Sequence, residues 1–137
     1  MNWQLSFSAI YDYDTRLHGI ELPITLQSGA IKRRLDAKVD TGASHCIFER
    51  QHGERLGFDI ESGIPERFDT AMGSFPAYGH EVKIESLGIE MTAIVFFAAD
   101  ENFKRNVLGR HGWLNRVRLG LIDYDGKIYL SEYDDPA

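Results

Sequence analysis

Apolar residues alternate through Ile20, Leu22, Ile24 and Leu26, and after Gln27-Ser28-Gly29-Ala30 the alternation resumes through Ile31, Leu35, Ala37 and Val39. A period of two puts one set of side chains on one face of an extended chain, so this stretch predicts a β-hairpin with a buried face. Its second strand runs directly into Asp40-Thr41-Gly42-Ala43-Ser44. An acid at the end of an apolar strand, followed by a small residue and a glycine able to turn sharply, is held at a loop tip. Asp-Thr-Gly alone suits an ordinary Asx or type I turn equally well.

Further strands are expected at Trp3 to Ile10, Arg67 to Ala71, Ala77 to Glu85, Ile89 to Ala98, Asn106 to Leu108, Val117 to Tyr124 and Lys127 to Leu130. Asp125-Gly126 between the last two predicts a two-residue hairpin turn with both positions at positive φ. Helix is scarce. Glu49 to Leu56 forms two turns stopped by Gly57, although Gly53 inside it costs about 1 kcal/mol, and a second short helix spans His111 to Arg116. Many short strands separated by turns predict an all-β fold, closed or orthogonal, with one or two short helices.

The 137 residues, 43% hydrophobic, suffice for one core, so a single domain over 1–137 is expected. A net charge of -6 repels nucleic acid and anionic lipid. The longest apolar run, Ala93 to Ala99, is too short to cross a bilayer and suits a buried strand. A lone Cys46, no Asn-x-Ser/Thr acceptor and no signal-like start make a cytoplasmic setting the expectation.

From Gly19 to Leu130 the chain resembles the retropepsin-like aspartic peptidases. The resemblance rests on the apolar strand into Asp40-Thr41-Gly42-Ala43, on a glycine-bearing hairpin over Asp69 to Tyr78, and on Val107-Leu108-Gly109-Arg110 opening a short helix. It implies a closed, bean-shaped β-barrel with one lobe per chain, acting as a homodimer on peptide substrates without a metal or other cofactor. Asp40 of each subunit then supplies one of two carboxylates that hold the nucleophilic water. Thr41 braces the loops across the two-fold, Gly42 and Ala43 meet the substrate backbone, and Met72, Gly73, Ser74 and Phe75 form a flap tip. Gly109 and Arg110 are structural neighbours of the site. Where retroviral members carry an acid that pairs with the arginine, this chain has Ser44, His45 and Cys46, so Arg110 lacks that partner. A second catalytic acid within the chain is not expected, because Asp14-Thr15-Arg16, Asp69-Thr70-Ala71 and Asp125-Gly126 lack the pattern.

Other chemistries fit less well. His45, Cys46 and His52 are metal-ligand types, but adjacent strand residues point to opposite faces, so His45 and Cys46 do not converge. Cys46-Ile47-Phe48 reads as buried core, where a thiol is inert. His18, His80 and His111 read as surface or loop residues, Trp3, Trp113, Phe96 and Phe97 as packing, and Lys32-Arg33-Arg34 as a solvated hairpin. The alternative function is a non-catalytic dimerisation or peptide-binding module on the same fold.

Overall fold

The structure, a computed structural model, describes residues 1–71 and 73–136. In chain order its elements are β1 (Ala9–Asp12), β2 (Glu21–Ser28), β3 (Ile31–Val39), β4 (Ile47–Phe48), α1 (Arg50–Arg55), β5 (Ile64–Thr70), β6 (Gly73–Ser86), β7 (Ile89–Ala98), β8 (Val107–Leu108), β9 (Val117–Ile122) and β10 (Lys127–Glu132). One sheet has the order β2-β3-β8-β4-β7-β6-β5, and β2 also pairs with β6. That extra pairing closes the sheet into a barrel, which removes the free edges that an open sheet would expose. β5 is left outside the ring, paired only with the first half of β6 through Ile64↔Gly79 to Thr70↔Gly73. A smaller sheet, β1-β10-β9, packs beside the barrel.

The alternation in β2 does what its period dictates: Leu22, Ile24 and Leu26 are buried, and Ala37 of β3, Val82 and Ile84 of β6 and Val95 and Phe97 of β7 meet them inside. Each such side chain contributes about 1.5–3 kcal/mol by leaving water. The end of β7 is buried on both faces, with Phe97 in the barrel and Phe96 in a second cluster with Phe68 and Ala77. This explains why its sequence is continuously apolar. Trp113 is fully buried, and its indole N–H donates to Ser86 Oγ at 3.1 Å, so neither polar atom is left unpaired.

Several expectations are corrected. The strand expected from Trp3 begins only at Ala9, where the β10 ladder starts; Ser8 is held instead by a side chain, its N–H donating to Ser131 Oγ. Trp3 is 86% exposed and packs nothing, whereas Phe7 lies over Gly120 and against Tyr129. The β9–β10 turn holds four residues, a 3-10 turn at Asp123–Asp125 followed by left-handed Gly126, so Asp125 does not take positive φ. From His111 to Arg116 only Leu114–Arg116 is helical, as a 3-10 turn, because Gly112 at φ 103° interrupts any longer helix. Arg33 is not solvated: its Nε donates to Nδ1 of the buried His52 at 2.9 Å. His80 is not a surface residue either, since it stacks on Phe58 and its Nε2 pairs with the Ile60 carbonyl.

α1 packs on the barrel through His52 and Gly53, and Gly57 at φ 94° ends it. Gly53 is there for space. A Cβ at this position would stand 2.6 Å from Ile60 Cδ1 and 2.8 Å from the Phe97 ring, both fully buried. Gly53→Ala gains about 1 kcal/mol of helix propensity but overpacks the contact at a cost of about 1–3 kcal/mol. Thermal melts should therefore show Gly53→Ala as destabilising, with a Tm lower by roughly 3–5 °C.

His52 makes stability pH-dependent. Burial, and next the Arg33 guanidinium, lower its pKa, so the fold holds the neutral imidazole. Because the folded pKa lies below the unfolded value of about 6.5, this contribution is complete above that pH and is lost as pH falls through and below it. Between pH 7 and 5 the wild type should lose more stability, by denaturant titration, than His52→Asn, which offers Arg33 an acceptor that does not titrate.

Candidate active site

β3 lies parallel to β8, with Lys38 opposite Val107 and Val39 opposite Leu108, and the chain leaves the ladder at Asp40. The Asp40 N–H still donates to the Leu108 carbonyl at 3.0 Å. The turn that follows is closed by the Ala43 N–H on the Asp40 carbonyl, 3.1 Å, and by the Gly42 N–H on Asp40 Oδ1, 3.0 Å. The carboxylate thus sits half-buried at the loop base with one oxygen fixed by a backbone donor, while Thr41 and Gly42 are exposed at the tip. A Cβ on Gly42 would come within 3.3 Å of that same oxygen.

The loop is clamped from its far side. The Arg110 N–H donates to the Ala43 carbonyl at 2.8 Å and the His111 N–H to the Ser44 carbonyl at 2.9 Å, with a parallel bridge between His45 and His111. Gly109 lies where the two segments touch. A Cβ there would stand 2.2 Å from the His45 carbonyl oxygen and 2.9 Å from that of Ala43. Gly109 and Arg110 therefore hold the Asp40 loop through the backbone. The Arg110 side chain is exposed and has no hydrogen bond or ion pair among the described residues. Asn106, which sequence reasoning passed over, adds a second clamp: its Oδ1 accepts from the Glu49 N–H, its Nδ2 donates to Glu49 Oε2, and its carbonyl accepts from Lys38 N–H.

Asp40 borders a cleft of about 210 Å³ with Asp36, Lys38, Lys104, Arg105, Asn106 and Glu21, the last an acid of β2 opposite Lys38 that does not belong to the loop. Asp36 is the other β3 carboxylate in that cleft, but four residues of extended strand separate the two by about 13 Å. That is too far for two carboxyl groups to hold one water. The single chain brings one acid to the loop.

The β5–β6 hairpin carries the expected flap residues except Met72, which lies outside the described residues. Gly73 takes φ 113°, a conformation that L side chains rarely adopt, and its carbonyl accepts from Thr70 Oγ1 at 2.8 Å. Ser74 Oγ accepts from Arg67 Nε at 3.0 Å, and Phe75 packs on Phe68 and Phe103. Beneath lies an apolar layer of Phe68, Ala77 and Phe96, with Ile47 and Phe75 against it. His45 joins the Asp40 loop to this layer, its ring 5.4 Å from Phe68 and 5.3 Å from Phe96.

The three metal-ligand types go elsewhere. The Cys46 thiol is fully buried, its pKa is pushed up to about 11 by burial, and its sulfur approaches the Gly109 and His111 carbonyls. His52 Nδ1 is taken by Arg33, and His45 Nδ1 by Ser44 Oγ. Among the described residues no group of three or more His, Cys, Asp or Glu side chains is placed to hold a metal, and no helix is long and apolar enough to cross a membrane.

A family model described as Aspartyl protease matches residues 22–112. Among solved structures, the EIAV protease complexed with the inhibitor HBY-793 has a similar fold, with a TM-score of 0.53 at 18% identity over 67% of this chain and 82% of that one. No curated protein matches the chain.

Because two carbonyl oxygens occupy the space beside Gly109, Gly109→Ala requires backbone movement, not a side-chain adjustment. It should cost about 3 kcal/mol or more, at or above the upper end of ordinary overpacking. Denaturant unfolding of Gly109→Ala checks this, and a loss below 1 kcal/mol would show that the two segments are not in that close contact.

Proposed function

From the premise that the chain belongs to the aspartyl protease family, retropepsin-like in fold, we propose that it is an aspartic endopeptidase active as a homodimer. The observation that carries this reading is the Asp40 loop itself: one half-buried carboxylate, fixed by the Gly42 N–H beside an exposed tip, on a loop from Asp40 to Ser44 that holds no other acid. Peptide hydrolysis by an activated water needs one carboxylate as base and a protonated one to polarise the scissile carbonyl. A second copy supplies it.

Two Asp40 carboxylates about 3 Å apart repel by about 5 kcal/mol at an effective dielectric near 20, so the pair shares one proton, as in aspartic proteases generally. The ionised member draws the proton from water, and the protonated member donates to the carbonyl oxygen as the tetrahedral intermediate forms. Thr41, exposed beside the acid, bonds across the two-fold and keeps the two loops in register. Gly42 and Ala43 leave room for the substrate backbone. The Gly73 to Phe75 side of the hairpin closes over the peptide and excludes water, with the Phe68, Phe75 and Phe96 layer taking apolar side chains. The Arg110 guanidinium is available to the second subunit.

Specific activity should fall when the protein is diluted below its dimer dissociation constant, since the monomer lacks a dyad. Cleavage of a peptide library read by mass spectrometry should disappear in Asp40→Asn. Undiminished cleavage in that variant would end the proposal, and peptide binding without cleavage by the wild-type dimer would establish a non-catalytic module.

A further inference from the structure

The segment that carries Asp40 also delivers a second titratable group. Five residues on, His45 is half-buried against Phe68 of β5 and Phe96 of β7, and its ring lies 5.2 Å from that of the exposed His111. The His45–His111 bridge fixes the two backbones side by side. Both imidazoles line a groove of about 460 Å³ whose floor includes Ile64, Ile94 and Phe96. Arg116, whose Nη1 donates to the Thr92 carbonyl at 3.3 Å, and Glu81 of β6 also line it.

We propose that this groove is a distal substrate subsite that receives an acidic side chain of the bound peptide when His45 and His111 are protonated. The inference rests on the peptidase reading and adds the class of substrate. The groove shares Phe96 with the apolar layer under the flap hairpin, so the two adjoin. Its position on the Asp40 loop itself couples occupancy to the catalytic segment.

Charge decides what the groove accepts. The charged and titratable groups of the groove are His45, His111, Arg116 and Glu81, with Glu66 of β5 acting on His45 from nearby. With neutral imidazoles, one cation faces two carboxylates, a local net charge of -1 that rejects an acidic side chain. With both imidazoles protonated, three cations face two carboxylates, a net charge of +1 that attracts one. Burial, and next the neighbouring His111, lower the His45 pKa while Glu66 opposes them, so His45 gains its charge on the acid side of neutrality. An acidic side chain placed between the rings supplies the anion that Glu66 cannot supply alone, and binding and protonation then reinforce each other.

The test uses a peptide that the wild type cleaves, resynthesised with Glu, Gln or Lys at each position up to five residues either side of the cut. At one position beyond those adjoining the scissile bond, kcat/KM for Glu over Gln should be about tenfold at pH 5 and about one or less at pH 7.5, the gain residing mainly in KM. In the double variant His45→Gln, His111→Gln the same ratio should stay near one at both values, whatever the variant's activity on the Gln peptide. A pH-dependent Glu preference that persists in the double variant would overturn the proposal, as would its absence at every position in the wild type. A second measurement needs no turnover: imidazole NMR signals of Asp40→Asn protein, assigned by the two single variants, should shift with capped tetraglutamate at pH 5 and not with tetraglutamine. If the wild type cleaves no peptide, the peptidase reading fails by itself, and this titration alone decides whether the groove binds acidic peptides. Unmoved His45 and His111 signals would overturn it.

Discussion

Everything that makes Asp40 chemically useful depends on one close contact, that between Gly109 and the carbonyls of Ala43 and His45. Two separate segments of the chain meet there without a side chain between them. The contact lets Arg110 and His111 donate backbone hydrogen bonds into the loop, and these donors, with Gly42 on the carboxylate, replace the ladder that β3 gives up at Asp40. A loop at a surface would otherwise fluctuate among many conformations, at about 1–2 kcal/mol of backbone entropy per residue fixed. Here Arg110 and His111 directly follow β8, so two of the donors are anchored by a barrel strand.

The barrel in turn explains how a loop and a hairpin from distant parts of the chain come to bear on one another. β6 is long enough to pair with β5 at its beginning and with β2 at its end, and β7 accompanies it for most of its length. The β5 hairpin therefore projects from the ring without leaving the sheet. The cluster of Phe68, Ala77 and Phe96 supports its base, and the aromatic contacts of His45 tie the Asp40 loop to that base. Near the tip, a Cβ at Gly73 would meet no atom within 4 Å.

How much of this was legible in the sequence follows from which forces are local. The period-two alternation of β2 and β3, the apolar run of β7 and the glycine stop of α1 are local, and the structure places β7 at Ile89–Ala98 as read. Asp-Thr-Gly and Leu-Gly-Arg were legible as motifs, but that Gly109 is required by the carbonyls of another segment was not, since the reason lies more than sixty residues away. Gly53 looked like a helix defect for the same reason, its meaning being the shapes of Ile60 and Phe97. The Trp3 to Phe7 alternation misled because periodicity reports a capacity to pair and says nothing about whether a partner strand is vacant. Arg33 and His52 were hidden by composition: a basic run reads as solvated unless a buried acceptor awaits one member.

The central claim is that catalysis needs two copies of Asp40 in one site. Its most direct measurement is subunit exchange between wild-type and Asp40→Asn chains at fixed total concentration, with dimer composition verified by native mass spectrometry. A mixed dimer keeps one ionisable carboxylate of the pair and cannot supply base and acid together. With random exchange, activity should follow the square of the wild-type fraction, leaving about one quarter at equal mixing. Activity that falls in simple proportion, to one half at equal mixing, would mean that each subunit works alone and would contradict the shared dyad.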